Sequence, residues 1–185
     1  MWKCVWLPRA VEPEPCDSST LLEVWRFRRN RRDKPKLAGE EPGFFLSVLN
    51  PSQLVSDLVA AFVGGHLMVE GWLRSLDLAD LPVSTIPPPG VRRHTMWSSP
   101  KQTVIVVPLT SELLSEIRSR VIQPLTDLMP EVDHVQIAKD GRLEFGAYDG
   151  FDFSWVSERV GEEILRDLKE RHVLRDYSRQ DPALE

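Results

Sequence analysis

Cysteine is scarce in this chain: Cys4 and Cys16 are the only two among 185 residues. They are too few for a structural zinc site and build no disulfide framework. Long apolar runs are missing as well. The longest, LVAAFVGGHLMV at 58–69, falls well short of the roughly 20 residues of a membrane-spanning helix. The N-terminal stretch MWKCVWLPRAVEPEPC lacks the apolar core of a signal peptide. These absences predict a soluble protein of a reducing, cytoplasmic compartment, with no membrane association.

The chemical signatures are just as sparse. There is no GxxxxGK[ST] or GxGxxG loop to cradle phosphate, no GxSxG elbow and no HExxH pair. No cofactor and no metal is therefore expected. Neither cysteine sits in a recognisable catalytic context.

Charge is present, and it is unevenly placed. The total is 23 − 28 = −5. Residues 26–36 (RFRRNRRDKPK) hold seven Lys or Arg and one Asp, a local +6, so the other residues sum to −11. A basic run on an acidic body predicts contact with an anionic partner, or a self-complementary contact.

Hydropathy periods predict the elements. WKCVWL (2–7), TLLEVWRFR (20–28) and FFLSVL (44–49) read as strands. Asn50-Pro51 is a helix start, with a capping side chain and proline at the first helical position. Leu54, Val55, Leu58, Val59 and Phe62 then form one apolar face, and Gly64-Gly65 stops the helix. HLMVEGWL (66–73), RRHTMW (92–97) and QTVIVVPL (102–109) read as strands. Thr110 or Ser111 caps a second helix with Leu113, Leu114, Ile117 and Val121 on its apolar face, bounded by Pro124 and Pro130.

Residues 134–147 predict a hairpin. Asp140-Gly141 suits a two-residue type I′ turn, with Val135, Ile137, Leu143, Phe145 and Ala147 sharing the core face. A third helix is expected from about Ser157, using Val160, Ile164, Leu165 and Leu168. Residues 176–185 read as a frayed tail.

The expected fold is α+β: a mostly antiparallel or mixed sheet with about three helices. SQLVSDLVAAF (52–62) and SELLSEIRSRV (111–121) share three identities, and each precedes a strand that opens on a histidine, His66 or His134. That pattern raises a pseudo-twofold duplication of tandem βαββ units. The boundaries are an N-terminal strand and Pro-rich loop at 1–19, a first unit at 20–90, a second at 91–175 and the tail.

Three readings of function follow. The first is a non-catalytic protein-binding module, of inhibitor or immunity type, docking on a basic partner. Its face would be the acidic-aromatic stretch EFGAYDGFDF (144–153) and its surroundings: Glu144, Tyr148, Asp149, Asp152 and Trp155. The second is a nucleic-acid-associated protein using Arg26, Arg28, Arg29, Arg31 and Arg32, where charge meets phosphate and interleaved rings stack on bases. The third is a hydrolase-type enzyme with Asp149 or His134 as general base, which requires those groups to converge.

Overall fold

The computed structural model describes residues 42–73, 76–86, 103–128 and 131–180. All belong to one compact unit, Lys36–Glu185. The expected strands at 2–7, 20–28 and 92–97, and the basic run from 26 to 36, lie outside the described residues.

Among the described residues seven strands form one sheet: β1 (Gly43–Val48), β2 (His66–Gly71), β3 (Thr103–Pro108), β4 (Val132–Lys139), β5 (Arg142–Tyr148), β6 (Phe153–Ser157) and β7 (Leu174–Gln180). Their order is β3-β2-β4-β5-β6-β1-β7. Every neighbouring pair is antiparallel. The α+β expectation holds, with an antiparallel rather than mixed sheet.

Three helical segments link strands that run the same way. Helix α1 (Pro51–Ala61) joins β1 to β2, and α4 (Glu162–Glu170) joins β6 to β7. Between β3 and β4 the chain forms α2 (Leu114–Ile117), a π-turn (Arg118–Ile122) and α3 (Leu125–Leu128). The β1–β2 crossover moves one way along the sheet on strands of one direction. The other two move the opposite way on strands of the opposite direction. Rotating the sheet by half a turn superposes these cases, so a single crossover hand puts all three segments on one face. The core agrees: Leu54, Leu58, Ile117, Val121, Leu125, Leu165 and Leu168 join Phe44, Leu67, Val107, Val135, Ile137, Phe145 and Val156 in one buried cluster.

Local chemistry explains the elements. The Asn50 side chain accepts from the Gln53 N–H at 3.1 Å, and Pro51 fills a position whose N–H has no helical partner anyway. The second helix departs from expectation at both ends. Its first residue is Leu114, with no side-chain cap, and it passes Pro124 instead of stopping there. Proline offers no N–H to the fourth residue back, and its ring crowds that carbonyl. The chain widens one turn, so that the Gln123 N–H reaches the Arg118 carbonyl at 2.8 Å, and then resumes as α3. Arg120 in that turn reaches back to Asp77 at 3.2 Å and to the Ala79 carbonyl, pinning the loop that carries Leu81 into the core.

The hairpin forms as expected at Asp140-Gly141, with φ of 53° and 73°. One detail differs. Ile137 faces Phe145, but Ala138 faces Leu143, so Glu144 is the extra residue of a β-bulge. The bulge turns Leu143 away; it is half-buried and outside the main core, while Phe145 and Ala147 remain in it.

Two stretches outside the expected strands are strands. FSWVS (153–157) forms β6, so the third helix starts later, at Glu162, and Ile164 on it is exposed. Residues 176–180, expected as a frayed tail, are most of β7, which pairs with β1. Its sequence, LRDYSRQ, is polar, and among the described residues it is an outer strand, where charge discourages further pairing. The opposite outer strand, β3, is apolar but guarded. Ser84 exchanges backbone hydrogen bonds with Val106, and Pro108 offers no N–H.

Candidate functional site

Directly opposed residues of antiparallel strands share a face. Opposite the helices, one row runs Phe45, Trp155, Gly146, Gln136, Met68, Val106. The next runs Phe153, Tyr148, His134, Glu70, Val104. Gly146 and Tyr148 lie opposite Phe145 and Ala147, as the hairpin alternation predicts, whereas Leu143, expected beside Phe145 and Ala147, leaves that face at the bulge. Three of the five residues named for a binding surface are nevertheless buried. Glu144 is 1% exposed, Tyr148 2% and Trp155 1%. Asp149 and Asp152 are exposed.

Each buried member has a structural task. Glu144 accepts from Ser157 Oγ at 2.5 Å and from Arg159 Nη1 at 2.6 Å. A buried carboxylate needs such partners to offset its lost hydration. Tyr148 folds back along its strand over Gly146, where a Cβ would stand 2.6 Å from the phenol oxygen. The empty side-chain position at 146 is thus filled by the ring of Tyr148. Gln136 Nε2 donates to that oxygen at 3.2 Å. Burial pushes the phenol pKa up to about 12, with the Gln136 hydrogen bond acting in the opposite direction. Trp155 lies across Gly43, where a Cβ would overlap its indole nitrogen.

Rings continue this layer. Phe45 meets Phe153 edge-on at 5.3 Å, Phe153 meets Tyr148 at 6.1 Å, and Tyr148 meets His134 at 5.4 Å. This four-ring ladder crosses β1, β6, β5 and β4. The ladder depends on the strand order, which local sequence patterns do not give.

The turn between β5 and β6 is the exposed part. Asp149, Gly150 and Phe151 have φ of 51°, 65° and 71°. Aspartate and glycine accept the left-handed region readily, whereas phenylalanine is strained there. Phe151 is held by burial, 8% exposed, with its ring 6.3 Å from that of Phe145. The Asp152 N–H donates to the Asp149 carbonyl at 3.3 Å, and Ser154 Oγ donates to the Phe151 carbonyl at 3.3 Å. The Gly150 N–H donates to the Asp133 carbonyl at 3.3 Å. That last bond ties the turn to the start of β4, where Glu131 is exposed and Asp133 half-buried. Trp72, 38% exposed, follows β2 and donates its backbone N–H to the Glu131 carbonyl at 2.7 Å. One end of the sheet therefore carries Glu131, Asp133, Asp149, Asp152 and the ring of Trp72. Glu131, Asp133 and Trp72 were not singled out in the sequence; only the register brings them beside the turn.

The two histidines separate. His66 faces Ala138 and His134 faces Glu70, so the two histidines stand at opposite ends of the β2–β4 ladder. Asp149 is exposed in its turn, while His134 is half-buried with its ring against Tyr148. Among the described residues no group of three or more His, Cys, Asp or Glu could hold a metal ion. Among them, too, no helix is long and apolar enough to cross a membrane.

No family model, no curated protein and no solved structure matches the chain.

Proposed function

We propose that the chain is a non-catalytic protein-binding module, of inhibitor or immunity type, that docks on a basic partner through the acidic end of its sheet. The observation that carries this reading is the Gly150–Asp133 backbone bond, which gathers Asp149 and Asp152 with Asp133 and Glu131 beside an exposed tryptophan. Carboxylates of one sign steer a cationic partner, and an aromatic ring supplies contact area. Glu144, Tyr148 and Trp155 serve this face from beneath: packed, they hold the strands that present the turn. A turn fixed in advance loses less freedom on binding. The experiment is capture of the partner from the native source, followed by comparison of wild type with Asp149→Lys and Asp152→Lys. Undiminished binding by both variants removes this face from the account.

The basic run supports a second reading, nucleic-acid binding through Arg26, Arg28, Arg29, Arg31 and Arg32, since it concentrates +6 in eleven residues. Filter binding across a salt series decides it. Phosphate contacts demand a steep loss of affinity with salt, and a flat or absent signal ends the reading.

Duplication remains a proposal about origin, supported by the repeated order of strand, helix, strand and strand. An alignment of relatives in which 52–62 and 111–121 share no more than two unrelated amphipathic helices do would remove it.

A further inference from the structure

The sequence holds two Asp-Gly pairs, Asp140-Gly141 and Asp149-Gly150. Glycine has no side chain to obstruct its own nitrogen, so in both pairs that nitrogen can approach the preceding carboxyl group. Both aspartates are exposed, and both stand in the left-handed region, with φ of 53° and 51°. Local sequence and local conformation therefore match. The surroundings of the two peptide units do not.

The peptide unit between Asp149 and Gly150 is held at both ends. Its carbonyl accepts from the Asp152 N–H at 3.3 Å, and its N–H donates to the Asp133 carbonyl at 3.3 Å. Phe151, buried with its ring 6.3 Å from that of Phe145, anchors the next residue. The peptide unit between Asp140 and Gly141 lies beyond the last pair of its ladder, Lys139 with Arg142, and Gly141 and Arg142 are exposed as well.

We propose that Asp140-Gly141 is a site of spontaneous conversion to isoaspartate, and that the hydrogen bonds of the acidic turn protect Asp149-Gly150 from the same change. The Gly141 nitrogen bonds to the side-chain carbonyl carbon of Asp140 and gives up its proton. The side-chain hydroxyl leaves with that proton as water. The succinimide so formed takes up a water again. If the bond from nitrogen to the side-chain carbonyl breaks, aspartate returns; if the bond to the main-chain carbonyl breaks, isoaspartate results. The change is an isomerisation, with no atom gained or lost and no electron transferred. The main chain then runs through an extra methylene, which a two-residue type I′ turn has no room for. The product also presents a free α-carboxylate, the methyl acceptor of isoaspartyl methyltransferases, with S-adenosylmethionine as donor. At Asp149 the Gly150 N–H must first leave the Asp133 carbonyl, which slows ring closure by about two- to tenfold.

The test is incubation of the full-length chain near neutral pH at physiological temperature, folded and in urea. Isoaspartate is read by methyl transfer from labelled S-adenosylmethionine and located by peptide mapping. In the folded chain it should gather at Asp140 about two- to tenfold faster than at Asp149. In urea the two rates should converge. Asp140→Glu, whose ring closure would need a larger ring, should remove most of the methyl acceptance of the folded chain. Equal rates at the two pairs in the folded chain, or a faster rate at Asp149, overturn the proposal. So do a difference that persists in urea, undiminished methyl acceptance in Asp140→Glu, and a folded chain that forms no isoaspartate at Asp140.

Discussion

Ser157 Oγ donates to Glu144 Oε2 at 2.5 Å across the β5–β6 ladder, and Arg159 reaches the other carboxylate oxygen. This places a fully buried acid within the stretch that, in sequence, looks like a docking surface. Ser157→Ala should cost about 1–3 kcal/mol by leaving one carboxylate oxygen short of a donor. Arg159→Ala should cost about 1–3 kcal/mol as well; the guanidinium is 46% exposed, so solvent screening holds it below the cost of breaking a fully buried pair. Urea unfolding of both variants checks this, and two midpoints equal to wild type would refute it.

Tyr148 gives a pH dependence of definite sign. Its phenol pKa is raised by burial from 10.0 to about 12. The folded state favours the neutral phenol, so this contribution to stability is complete below pH 10. It is lost as pH rises towards about 12, where the unfolded chain releases the proton first. The loss amounts to about 2–3 kcal/mol at most. In a Tyr177→Phe background the phenolate absorbance of Tyr148 should appear near 12. A transition near 10 would show that the ring is not held in this layer.

His172 ends α4 in the left-handed region, with φ of 57°. The Val173 N–H donates to the Leu168 carbonyl at 2.9 Å and the His172 N–H to the Lys169 carbonyl at 3.1 Å, the paired bonds of a Schellman cap. Glycine adopts that conformation without a side-chain penalty. His172→Gly should therefore stabilise the protein by about 0.5–1 kcal/mol. A lowered thermal midpoint would contradict the cap.

Much of this fold is legible in the sequence where local chemistry is decisive. Asn50-Pro51 and its apolar face define α1, and Asp140-Gly141 defines the hairpin. What escaped depends on long-range pairing. FSWVS lies between two turn-like stretches, and its strand character comes from pairing with β5 and β1. LRDYSRQ looks like a tail because outer strands are polar. The site was half legible. Asp149 and Asp152 are exposed as read, but the alternation that grouped them with Glu144, Tyr148 and Trp155 gives a face of the sheet, not its exposure. Glu131, Asp133 and Trp72 join the turn only through the β2–β4–β5 register.

The central claim is that the acidic end of the sheet is the docking face. Once a partner is captured, isothermal titration with wild type and with the Asp149→Lys/Asp152→Lys double variant tests it most directly, at low and at moderate salt. Affinity should fall about tenfold or more in the double variant, with a weaker salt dependence than wild type. Equal affinities with equal salt dependence would contradict it.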